Sequence, residues 1–295
     1  MQWPFFFSSL RVPVHLHIGV HKTGSTTLQD ILLANRARLV EAGVAYPSLG
    51  EVRKPLRQAI DGKAKKARRL FDLTVREVPA CRRILLSEEN ICGTASHLGR
   101  REGLIYPDLG ERLHVVREQV IRRAPVKVFL CIRSLDGFLP ALWCEFIRFR
   151  PFQTFETFLS RVDIETVSWR PVLEAVINAT GKDNTVVWTF DRFVRDPAAI
   201  AALVAGVERD FLGKVDTHSY PSPSERAVAE LVELSRSRPA EEIPAMVREV
   251  EERFPRPQYL PFRPFPSHVA EELRSRFRDD VAWLRNAFPH VTVLD

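Results

Sequence analysis

The stretch HIGVHKTGSTTLQDILLANR, residues 17–36, decides the fold. It follows a short alternating run, PVHLHIGV (residues 13–20), that ends at a glycine and predicts a first β-strand. After it, TTLQDILLANRARLVEAG carries Leu28, Ile31, Leu32 and Leu39 at helical spacing and stops at Gly43, which predicts an amphipathic helix. Gly19 and Gly24 therefore bracket a loop at a strand-to-helix junction. Such a loop offers free backbone N–H groups and the positive end of a helix dipole to a phosphate. Ser25, Thr26 and Thr27 add hydroxyls at the first turn. In nucleoside triphosphatases the loop lysine follows the second glycine, with a magnesium-binding Ser or Thr beside it. Here Ser25 follows Gly24 and the lysine, Lys22, lies inside the loop. Phosphate chemistry without a metal is the expectation, and Asp191, expected in a strand-to-loop turn, is not placed as a magnesium ligand.

Outward from this loop, RRILLSEEN (82–90), PVKVFLCIRS (125–134) and NTVVWTFDRF (184–193) predict three further strands. The second is nearly all apolar and so expected to be buried on both faces. Helical patterns at 108–124, 136–149, 154–160 and 169–178 separate them. The expected fold is α/β: three layers, a mainly parallel sheet with covering helices and a C-terminal helical segment. The basic run 51–80 predicts helix, read mainly as a solvated face and alternatively as a rim for an acidic acceptor. Beyond about residue 215, three helical patterns alternate with prolines. The last carries Val269, Leu273, Phe277, Val281 and Leu284 and is expected to pack back on the sheet, with 255–266 as a loop or lid. The whole chain, 1–295, is expected to be one domain, its core about 13–213 and its helical extension about 214–295.

Composition narrows the function classes. A net charge of +6 suits an anionic ligand, but there is no nucleic-acid recognition element. Cys81, Cys92, Cys131 and Cys144 form no CxxC pair, which points to reduced thiols in or near the core rather than structural zinc. The apolar patch in MQWPFFFSSLRVPV is too short for a signal peptide, and no window reaches the ~18 apolar residues of a membrane span. A cytoplasmic location is expected.

With these residues in view, HKTGSTTLQ resembles the 5′-phosphosulfate loop of sulfotransferases that use 3′-phosphoadenosine-5′-phosphosulfate (PAPS), in its bacterial KTGTTSLQ form. LLSEEN, LCIRSLDGFLPALWCEFIR and WTFDRFVRDP are similar, in order and spacing, to that family's carboxylate-bearing second strand, its 3′-phosphate segment and its YEDLxxDP segment. The resemblance covers roughly residues 13–213. It implies PAPS as co-substrate with no metal. It also implies nucleotide contacts from His21, Lys22, Thr23, Gly24, Ser25, Thr26, Thr27, Arg133 and Ser134, with Lys22 and Glu89 catalytic. The family places a serine eight positions after its 3′-phosphate arginine; this chain has Ala141 there, so Ser134 or another basic residue substitutes or nucleotide binding is weakened. Strand alternation puts Glu88 and Glu89 on opposite faces. His15, His17, His21 and His97 are further candidate bases, and Trp143, Trp169 and Trp188 are candidates to stack on adenine or to fill the core. The implied acceptor is a hydroxyl- or amine-bearing small molecule or glycan, and the oligomeric state is open. Two other readings fit the loop: a degenerate kinase or nucleoside triphosphatase, and a non-catalytic nucleotide- or glycan-binding protein on the same fold.

Overall fold

A computed structural model describes residues 12–78, 80–98, 104–122, 124–215 and 222–295. The apolar N-terminal patch falls almost wholly in residues 1–11, outside the described residues. Six strands form one sheet: β1 (Val14–His17), β2 (Val44–Ala45), β3 (Arg83–Ser87), β4 (Val126–Ile132), β5 (Thr185–Thr189) and β6 (Thr292–Leu294). Their order is β2-β3-β1-β4-β5-β6 and every pairing is parallel. Parallel strands need crossovers, which put helices on both faces. One face carries α1 (Ser25–Ala34), α2 (Arg36–Glu41) and α10 (Pro197–Ala205), packed on Leu85, Phe129, Cys131, Val186 and Trp188. The other carries α3 (Leu49–Ile60), α4 (Lys65–Glu77), α5 (Leu109–Val116), α6 (Leu135–Phe149), α7 (Phe155–Leu159) and α8 (Arg170–Thr180), over Val14, Leu16, Ile84, Leu86, Val128 and Leu130. A short α9 (Phe190–Arg195) follows β5, and α11 (Glu225–Leu234), α12 (Ile243–Arg253) and α13 (Ser267–Ala287) close the chain. No helix of the described residues is long and apolar enough to cross a membrane.

The central position of β1 explains its odd sequence. Val14 and Leu16 point to one apolar layer, while His15 and His17 point to the other. His17 is buried, stacks on Trp188 and bonds Ser87 Oγ through Nδ1 at 2.8 Å; His15 Nδ1–H donates to Val204 O at 2.6 Å. Burial lowers the imidazole of His17 to about 3 and that of His15 to about 4. Both are neutral at physiological pH, His17 within the core and His15 half-buried at its edge.

Several boundaries differ from the expected ones. The first helix breaks at Asn35, whose Nδ2 donates to Ile31 O at 2.9 Å and whose Oδ1 accepts from Gly213 N at 2.7 Å. The expected strand 184–193 ends at Thr189, because its hydroxyl caps α9 by accepting from Arg192 N. Asp191 therefore sits in the first turn of a helix rather than in a strand-to-loop turn. The last helix, α13, packs on α6 and α8, and its Leu273, Phe277, Val281 and Leu284 join the apolar layer on that face of the sheet. Its buried Asp280 reaches the start of α8, accepting from Ser168 Oγ and Trp169 N at 2.8 Å each and from Arg170 Nε at 3.0 Å. Arg274 of α13 donates to Asp136 of α6 at 2.9 Å.

Candidate functional site

After β1 the chain turns towards the sheet edge bearing β2, and after β4 it turns the opposite way. In open α/β sheets that reversal leaves a crevice at the carboxyl ends of the two strands, where ligands bind. A cavity of about 1450 Å³ opens there, lined by the loop after β1, the start of α1, the end of β4, one side of α6 and the segment 256–274. The two strand ends are tied directly: Arg133, just past β4, donates from Nη1 to Lys22 O at 2.9 Å.

The loop geometry follows from its sequence. Gly24 caps α1 in the left-handed region at φ 87°, and a Cβ there would sit 2.2 Å from the Phe193 ring, so only glycine fits. Lys22 is also left-handed, at φ 62°, which costs a non-glycine residue about 1–2 kcal/mol. No side chain caps α1 and no carboxylate lies in its first turn. Its leading N–H groups are therefore left for an anion, beside the cavity-lining Ser25, Thr26 and Thr27.

Of the nine implied nucleotide contacts, His21, Lys22, Gly24, Ser25, Thr26, Thr27 and Arg133 line the cavity. Thr23 and Ser134 do not: Thr23 is buried and donates to Val20 O at 2.6 Å, and Ser134 donates to Asp136 Oδ1 at 2.5 Å. Lys22 keeps only 12% of its side chain exposed, with Nζ 3.5 Å from Glu145 Oε2. Burial pulls its ammonium below the usual lysine value, while Glu145 pulls the other way. The guanidinium of Arg133 lies 4.5 Å over the Phe190 ring, and its backbone carbonyl accepts from Trp169 Nε1 at 2.8 Å.

His21 has its ring fully engaged. Asn90 Nδ2 donates to Glu88 at 2.6 Å, which turns Asn90 Oδ1 towards His21 Nε2 at 3.4 Å. Nε2 then carries the proton and Nδ1 accepts from Tyr106 OH at 3.0 Å. Burial pushes this imidazole below its ordinary value. His97 lies against Asp108 and does not line the cavity. The three candidate tryptophans are wholly buried and belong to the core.

The carboxylates correct the alternation argument. Strand pairing stops at Ser87 and Glu89 opens a 3₁₀ turn, so the two side chains do not diverge. Both reach Arg53 of α3: Nε donates to Glu88 at 3.0 Å and Nη2 to Glu89 at 2.6 Å. Glu88 is 2% exposed and is spent on Arg53 and Asn90; burial raises its carboxyl above the usual range. Glu89 lines the cavity, and its other oxygen accepts from Gln29 Nε2 at 3.2 Å. Gln29 also donates to Ser87 Oγ at 3.1 Å, so the buried pair His17–Ser87 fixes the amide that orients Glu89.

Arg53 emerges from a run expected to be mainly a solvated face, and no local signal marks it. Glu145 and Arg148 one turn apart on α6, and Arg256, Arg263 and Arg274 on the C-terminal wall, also line the cavity without having been singled out. The proline-rich segment forms one wall of the cavity: Leu260 O accepts from Glu225 N at 2.9 Å, and Phe262 packs on Trp143 with centroids 5.2 Å apart.

Neither a protein-family model nor a curated protein sequence matches the chain. Among solved structures it is similar to a sulfotransferase from Alicyclobacillus acidocaldarius, at 15% identity and a TM-score of 0.43, over 84% of this chain and 96% of that one.

Proposed function

We propose that the chain transfers a sulfuryl group from PAPS to a hydroxyl or amine on a small molecule or glycan. The observation that carries this reading is the loop after β1: Lys22 is held inside it in a strained conformation, its ammonium in the cavity beside the uncapped start of α1. Without a bound anion, a half-buried cation at a helix N-terminus opposes the dipole.

In this reading the acceptor oxygen bonds to sulfur as the bond from sulfur to the departing phosphate oxygen breaks. Lys22 and the N–H groups of α1 meet the charge that grows on that phosphate. The acceptor proton passes to Glu89, which Arg53 and Gln29 hold in place by one hydrogen bond to each oxygen; each oxygen retains a lone pair for the transfer. Arg133 holds the 3′-phosphate. The chain acts as a single cytoplasmic domain.

The test is in two parts. Adenosine 3′,5′-bisphosphate without magnesium should raise the melting temperature more than magnesium-ATP does. Lys22→Ala should lower sulfuryl transfer from PAPS by about 100-fold or more while the protein still folds. Stabilisation by magnesium-ATP alone favours a kinase or triphosphatase. Stabilisation by the bisphosphate with no transfer to any acceptor favours a binding protein.

A further inference from the structure

Within the proposed transferase site, the cavity cations divide by whether they already have a partner. Lys22 and Arg148 share Glu145, at 3.5 and 3.3 Å, and Arg148 also holds Glu251 at 2.6 Å. Arg274 is held by Asp136 and Glu271, each at 2.9 Å. Arg133 is assigned to the nucleotide. Arg256 and Arg263 remain, both on the proline-rich wall, and neither has a carboxylate partner among the described residues. Arg256 is the telling one. Its Nε and Nη1 are shielded from solvent and make no hydrogen bond among the described residues. Shielding guanidinium N–H groups without giving them a partner is costly, because their desolvation is not repaid by any pairing. Arg148 and Arg274, which line the same cavity, avoid that cost through intramolecular carboxylates.

The wall that carries Arg256 is held in place, so the unpaired charge is not a loose surface side chain. Ser224 Oγ donates to Phe254 O at 2.7 Å on one side of it, and Phe262 and Phe265 pack on Phe155 on the other, with centroids 5.8 and 5.4 Å away. This wall lines the same cavity as Lys22, Glu145 and Arg148. A group bound there shares the cavity with the proposed reacting centre.

We infer that the acceptor is itself an anion, and that its carboxylate, sulfate or phosphate group is recognised by Arg256, with Arg263 adding charge at the cavity rim. The inference rests on the transferase reading for the word acceptor, but the anion site stands on Arg256 alone. An oxyanion gives the guanidinium the partner that the fold withholds, and a planar fork favours such a group over a neutral hydroxyl.

The experiment is calorimetric titration, with and without saturating adenosine 3′,5′-bisphosphate, using two pairs matched in scaffold: glucuronate against glucose, and 4-hydroxybenzoate against 4-hydroxybenzyl alcohol. Glucose 6-phosphate serves as a third anion to separate carboxylate from phosphate preference. In wild type the anionic member of at least one pair binds about tenfold or more tightly. In Arg256→Gln that preference falls below about threefold and bisphosphate affinity is unchanged. Equal affinity within both pairs overturns the inference, and so does a preference that survives Arg256→Gln. A comparable loss of bisphosphate affinity in Arg256→Gln also overturns it, since the arginine then serves the nucleotide. Should Arg256→Gln not fold, the wild-type comparison still decides. Anion preference without any bisphosphate binding would sink the transferase reading and leave the anion site standing.

Discussion

The ammonium of Lys22 and the carboxylate of Glu145 face each other at 3.5 Å across the cavity. The pair holds the loop lysine where phosphate is proposed to bind, and it places a negative charge there too. Glu145→Gln removes that charge while keeping the shape. A carboxylate a few ångströms from a phosphate site weakens anion binding, so the variant should bind adenosine 3′,5′-bisphosphate about two- to tenfold more tightly. Calorimetry at fixed ionic strength measures this. Weaker binding in the variant would mean that Glu145 serves to present Lys22 to the ligand rather than to compete with it.

Arg133 should read the 3′-phosphate. A charge-assisted bond to phosphate contributes about 1.5–3 kcal/mol, so wild type should prefer adenosine 3′,5′-bisphosphate over adenosine 5′-phosphate by about tenfold or more. Arg133→Ala should lose most of that preference. Because Arg133 also braces the loop through Lys22 O, the variant is expected to bind both nucleotides less well, and the ratio is the informative quantity. Ala141 lines the same cavity, and Ala141→Ser should widen the ratio. A ratio unchanged in Arg133→Ala would leave the arginine as a brace only.

Glu89→Gln should retain bisphosphate affinity and lose turnover by about 100-fold or more, since an amide cannot take the acceptor proton. Glu88→Gln tests the alternative. Its carboxylate is buried against Arg53 and Asn90 and does not line the cavity, so its loss should show mainly as a lower melting temperature. Kinetics and thermal melts on both variants separate the roles; a larger fall in turnover for Glu88→Gln would reverse the assignment.

The parallel sheet was legible because its strands are apolar runs punctuated by glycine, proline or a polar cluster, and because β1 ends in a loop whose glycines are sterically required. Of the candidate site, Lys22, Glu89 and Arg133 stood out because each follows the end of a strand, and the fold brings all three to one cavity. What escaped was tertiary. β2 and β6 have two and three residues, too few for any period to show. Arg53 meets Glu88 and Glu89 only because α3 crosses over the end of β3, and nothing in a basic helical run marks one arginine out of many. Arg256 lacks a carboxylate partner among the described residues only by virtue of what surrounds it. One miss was avoidable: α10 carries an Asp196 cap that accepts from Ala199 N, Pro197 at its first position and left-handed Gly206 at its end, all local signals.

The two histidines of β1, His17 buried and His15 half-buried, make the fold sensitive to acid. Their imidazoles are lowered to about 4 at His15 and about 3 at His17, chiefly by burial, against about 6.5 in an unfolded chain. Between those limits the unfolded chain binds protons that the fold refuses, so stability is present at neutral pH and drains as pH falls below about 6.5. Glu88 acts in the opposite sense: burial raises its carboxyl, so the fold gains from its protonation as pH falls towards the carboxylate range. The histidine contribution is isolated by difference. Urea unfolding of wild type and of His15→Gln/His17→Gln at pH 7 and pH 5 gives two losses, and the wild-type loss should be larger by about 2–4 kcal/mol. The variant starts from a lower stability, because Gln at position 17 gives up the stack on Trp188, but its slope with pH should be shallower. Equal slopes would mean that the fold opens around β1 before either ring has to be protonated inside it.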